Sequence, residues 1–137
     1  MVLYARQDLL TRDSLELPDT WEELLALATR YNGTDLNNDT QPDFGICWPA
    51  DEFNLAKLAM AIHASIMQST GVAQGLFFNL RTGEPLLEQQ GAAHSFALLE
   101  QLLALSPFAA YGPNHAAFDG HALDFKQGRC AFLAGTQ

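Results

Sequence analysis

The chain has 137 residues, 48% of them apolar, which suits one globular domain and excludes a disordered one. Seven Lys and Arg stand against 16 Asp and Glu, a net charge of −9, so phosphate backbones and anionic membranes are poor partners and no nucleic acid is expected. The longest apolar stretch, 53–67, is broken by Asn54, Lys57, His63 and Ser65 and is too short to cross a bilayer.

Met1 leads straight into VLYA at 2–5, a strand candidate, rather than into a signal peptide, and such a start suggests a piece of a longer chain. RQDLLTRD then reads as a turn or two of helix, stopped by LELPD. Thr20-Trp-Glu-Glu23 is a capping box: the Thr hydroxyl can accept from the N–H of residue 23, and Glu23 can reach back to the N–H of Thr20. Trp21, Leu24, Leu25 and Ala28 follow at helical spacing, with Arg30 suited to the C-terminal end. FGICW is expected to be a buried strand.

Asp51 can cap a helix over 52–68 whose apolar residues occur almost all round, implying burial on more than one side. LFFNLRTGEPLL carries apolar runs on either side of Arg81-Thr-Gly83, a hairpin pattern. Residues 92–105 form an amphipathic helix with Phe96, Leu99, Leu102 and Leu103 on one face. Asp119 caps a shorter helix through Gln127, Gly128 fits its C′ position, and CAFLAG is a last strand. This order argues for a layered α/β domain, without internal repeats.

TDLNNDTQPDFG at 34–45 sets Asp35, Asn37, Asp39 and Asp43 at calcium-loop spacing. Two requirements fail: Thr40 stands where the sharp turn needs Gly, and Ile46 where a bidentate Glu belongs. The stretch therefore reads first as a turn-rich connector, with calcium a weak candidate. It overlaps two sequons, Asn32-Gly-Thr and Asn38-Asp-Thr, that matter only on a eukaryotic secretory route. No two of His63, His94, His115 and His121 stand at i, i+4, and His63 on an apolar helix reads as a satisfied core histidine. No nucleophile elbow, P-loop or dinucleotide fingerprint is present, so neither catalysis nor a cofactor is expected. Cys47 and Cys130 fall on two predicted strands. They would bridge if those strands were neighbours in an oxidising compartment, but two buried free thiols are the favoured reading.

Trp48, Asp51, Glu52 and Phe53 lie between a predicted strand and a helix start, where open α/β sheets bind ligands. Aromatic faces beside carboxylates suit a polyhydroxylated or cationic small molecule. The competing reading makes Asp51 a plain N-cap and Phe53 a core residue, and for Phe53 the core is favoured.

Four stretches in order add up to a family. VLYARQDLL followed by LELPDTWEELLALA, then STGVAQGLFFNLRTGEPLL, then HSFALLEQLLAL, then LDFKQGRCAFLAG resemble the extracellular solute-binding proteins of ABC importers, the maltose-binding-like family 1. The resemblance covers nearly the whole chain and departs from the family pattern at Arg129-Cys130, where Lys-Ala is usual. It implies that 1–137 is a single lobe of a two-lobe, periplasmic-binding-protein-like (type II) α/β fold: a small central sheet flanked by helices, plus a β-hairpin. It also implies that the first lobe is missing. Trp48, Asp51, Glu52 and Phe53, with Gly135 and Thr136, would face the cleft as half a site, so an isolated lobe should bind sugar weakly. The 34–45 stretch becomes the connector that delivers Trp48 and Asp51 to that cleft.

The implied function is non-enzymatic capture of a small, carbohydrate-like solute outside the cytoplasm, with an ABC permease as partner and self-association of the lone lobe as a further expectation. The alternatives are a ligand-sensing segment of a membrane receptor's ectodomain, or an interaction domain that has lost its ligand.

Overall fold

A computed structural model describes residues 2–48, 51–69, 71–112 and 118–135. Strand β1 (Val2–Ala5) is followed by α1 (Gln7–Asp13) and α2 (Trp21–Tyr31), then by β2 (Phe44–Cys47) and the long α3 (Glu52–Met67). A 3-10 turn at Val72–Gln74 precedes α4 (Gln90–Ala104), α5 (Pro107–Tyr111), α6 (Phe118–Lys126) and β3 (Cys130–Gly135). The sheet has three strands in the order β1-β3-β2, with β3 antiparallel to β1 and parallel to β2. Parallel neighbours need a long crossover, and here it is the whole helical stretch between β2 and β3.

The core forms where α2, α3 and α4 cover the sheet: Leu24, Ala28, Ile46, Trp48, Leu58, Ile62, Leu98, Leu102 and Phe132 are all buried in one cluster. Both halves of the capping box at α2 are made, with Thr20 Oγ1 accepting from Glu23 N at 3.1 Å and Glu23 Oε2 from Thr20 N at 3.2 Å. Gly45 lets α2 lie directly on β2, because a Cβ there would fall on the Ala28 carbonyl. Gly128 ends α6 with φ 78°, as a C′ glycine should, and its N–H reaches Phe125 O at 3.0 Å. The proposed cap at Asp119 concerns a side chain outside the described residues, and α6 starts at Phe118.

Helix α3 buries a wide arc, in keeping with the expected burial on more than one side: Leu58 and Ile62 join the main core and Met67 a second cluster with Leu86 and Ala92, while Phe53 and Met60 stay exposed. Other expectations change. The inner face of α4 is Ala92, Ser95, Leu98 and Leu102; Leu99 and Leu103 flank it, and Phe96 is about half exposed. The hairpin is present as a single antiparallel bridge, Phe78 to Pro85, framed by Asn79 N to Glu84 O and Leu86 N to Phe77 O. Pro85 has no N–H to extend a ladder. Helix α5 was not anticipated, although Ser106-Pro107 is a recognisable start, with Pro at N1.

Cys47 and Cys130 are joined by a disulfide between β2 and β3, which overturns the expectation of two free thiols. The condition set by the sequence, that the two strands be neighbours, is met.

Candidate functional site

The carboxyl ends of the two parallel strands point the same way, with Cys47 level with Leu133. Trp48 leaves β2 at that end, and Asp51, three residues beyond it, is the N-cap of α3. Gly135 closes β3 there, opposite Val2 of β1. The six residues expected at a cleft thus share one end of the sheet as far as they are described; Thr136 lies outside the described residues.

Of the two aromatic residues placed at the cleft by the resemblance, only one is exposed. Trp48 is 1% exposed, inside the core, and its Nε1–H meets no acceptor among the described residues. It offers no stacking face to a solute. Phe53, expected in the core, is 69% exposed on the first turn of α3. Asp51 turns back onto its own helix: Oδ1 accepts from Asn54 N at 3.1 Å and Oδ2 from Asn54 Nδ2 at 2.7 Å. These bonds, the side-chain one first, hold its carboxyl below the ordinary value. Glu52 is exposed beside it and suits acceptor chemistry toward hydroxyls.

Lys57 belongs with this group and was missed. Its Nζ lies 4.0 Å from the centroid of the Phe53 ring. The signal was available: Phe53 and Lys57 are four apart on a helix, and such residues meet. The start of α3 therefore carries an exposed aromatic ring with an ammonium over it, and Glu52 is exposed on the same first turn.

The 34–45 stretch is a folded connector. Gly33 N reaches Asp43 O at 2.8 Å and Asp43 N reaches Thr34 O at 2.9 Å, closing it at its base. Its acidic side chains serve its own backbone: Asp35 accepts from Asp39 N and Thr40 N, Asp39 from Gln41 N, and Asp43 from Leu36 N at 2.7 Å. Asp43 is buried, and desolvation raises its pKa. Among the described residues no three His, Cys, Asp or Glu side chains group as a metal set.

His63 is buried and fully paired, with Nδ1 2.9 Å from Ser95 Oγ and Nε2 3.2 Å from Leu76 O. A carbonyl only accepts, so Nε2 carries a hydrogen. Phe77 and Phe96 stack on the ring at 5.4 and 5.7 Å. His63 is a core histidine, as expected. His94 sits on the surface against Glu22 at 2.8 Å; His115 and the side chain of His121 lie outside the described residues. An apolar depression of about 470 Å³ is lined by Leu3, Pro18, Trp21, Leu24 and Ile66.

No family model matches the chain, and no curated protein matches it in sequence. Solved structures do. A solute-binding protein of an ABC transporter from Agrobacterium radiobacter K84, in complex with ribitol, is similar over 96% of this chain, with a TM-score of 0.66 and 23% identity. The ABC substrate-binding protein Lmo0181 from Listeria monocytogenes, in complex with cycloalternan, is similar over 96%, with a TM-score of 0.51 and 20% identity. The chain has part of a solute-binding-protein fold. It spans 30% of the length of each of those two chains.

Proposed function

We propose that this chain is one lobe of a substrate-binding protein serving an ABC importer, and that it supplies one wall of a cleft for a carbohydrate-like solute without catalysing a reaction. The observation that carries the reading is the exposed Phe53 ring at the start of α3, at the carboxyl end of the parallel strands. That is the part of an α/β sheet where ligands bind. A flat apolar ring beside Glu52 and Lys57 can take the C–H face of a polyol while the charged groups meet its hydroxyls. The two similar structures hold ribitol and cycloalternan, both polyhydroxylated, which supports this solute class. The Cys47–Cys130 disulfide supports a place outside the cytoplasm, where such bonds persist. The other wall would come from a first lobe, and an ABC permease would receive the solute.

Half a cleft binds weakly because it buries only one side of a ligand. Titrating ribitol into the isotope-labelled chain should shift the amides of 51–57 at millimolar concentrations. Phe53→Ala should reduce that affinity by up to about tenfold, the scale of one aromatic contact. Unchanged affinity in Phe53→Ala would remove this face from the site. Saturable submillimolar binding by the chain alone would overturn the half-cleft reading.

A further inference from the structure

Lys57 is one of only seven basic residues in a chain of net charge −9, yet it makes no ion pair among the described residues. Its ammonium rests on the Phe53 ring, 4.0 Å from the centroid. An exposed cation–π contact is worth roughly 0.5–1 kcal/mol, a factor of about two to five in affinity. A solute that stacks on that face has to displace the ammonium and forfeit that factor. Solutes differ in what they return. A neutral sugar gives the displaced ammonium hydroxyl partners no better than water, whereas a carboxylate gives it a charge-assisted hydrogen bond.

The neighbouring acids do not cancel this preference equally. Both oxygens of Asp51 are turned onto Asn54, at the N-terminus of α3. Asp51 keeps its charge, but its oxygens are already engaged, whereas Glu52 is exposed and free to oppose an anion directly.

Resting on the carbohydrate reading above, we infer that Lys57 is a specificity-determining residue and that the solute class of this site is a sugar acid, a polyhydroxylated molecule carrying a carboxylate. The carboxylate takes the ammonium that its own ring displaces from Phe53. Neutral sugars of the same shape bind the same ring at a disadvantage set by Lys57.

The test uses glucuronate and glucose, which differ at one carbon, titrated in parallel into the labelled chain while the amides of 51–57 are followed. Glucuronate should bind about fivefold more tightly than glucose, and added salt should shrink the ratio. Lys57→Met keeps the apolar stem and should abolish the ratio, Lys57→Arg should restore it, and Glu52→Gln should widen it. Lys57 is exposed, so these variants leave the core untouched. Glucose binding as tightly as glucuronate, or a ratio that survives Lys57→Met, overturns the inference and leaves the carbohydrate reading standing. If ribitol shifts the amides and neither hexose does, the inference fails alone. If none of the three shifts them, the carbohydrate reading fails and takes the inference with it.

Discussion

Trp48 and Phe53 stand five positions apart, and their surroundings separate a structural role from a ligand-facing one. Trp48 belongs to the core cluster, so Trp48→Ala should cost about 3–5 kcal/mol in urea denaturation, the scale of emptying a large buried site. Phe53→Ala should stay within about 0.5 kcal/mol, because the ring is mostly in water. A near-neutral Trp48→Ala would refute the placement. Local sequence could locate this turn but could not assign the two rings. A residue leaving a strand is buried only if something packs over it, and Trp48 joins a core cluster assembled from both helices and strands across the chain. The acids divide in the same way. Asp13, paired first with Arg12 and then with the Tyr31 hydroxyl, is held at about 2 against an ordinary 3.8. Its folded value is the lower one, so its contribution is present above 3.8 and is lost as pH falls toward about 2. Asp43 has the opposite sign: burial raises its pKa, so its contribution is present below 3.8 and is lost as pH rises through the raised value. Asp13→Asn should therefore flatten the acid limb of a melting-temperature profile, and Asp43→Asn should remove a loss that appears on raising the pH. A profile unchanged in both variants would contradict these pairings.

Elements were readable where one local rule sufficed. The capping box of α2, the C′ glycine of α6 and the three strands are short-range signals, and each appears where the pattern puts it. The inner face of α4 was misjudged because Phe96 sits close to the apolar stripe in rotation. In the fold that ring lies against His63 at the margin, and the small residues Ala92 and Ser95 take the inside. Helix α5 is five residues long, too short for a periodicity to show. Gly45 offers the sharpest check at this scale. Its φ is unexceptional, but α2 and β2 approach so closely that a methyl group would overlap the Ala28 carbonyl. Gly45→Ala should cost about 3 kcal/mol by prising helix from strand, read as a lower urea midpoint. Full stability in that variant would mean that the helix lies farther from the sheet.

At the scale of the whole molecule, the disulfide closes a sequence separation of 83 residues that holds α3, α4, α5 and α6. In the chain-entropy description such a loop is worth about 4.5 kcal/mol. Reduction, or Cys47→Ser with Cys130→Ser, should lower the melting temperature by roughly 10–15 °C. A change of a degree or two would show the bond to be incidental. Its pairing could not be read from two cysteines alone, because the strands become neighbours only through the long crossover.

Val2 lies opposite Gly135 at one edge of the β1–β3 pair. The described fold therefore begins and ends beside itself, at the end of the sheet from which α3 departs. A segment leading into Val2 and one leaving Gly135 would meet this unit at two neighbouring points. A body held at two adjacent points swings about the line between them, as a door does about paired hinges. Phe53, on the first turn of α3, would travel with the whole unit as it swings.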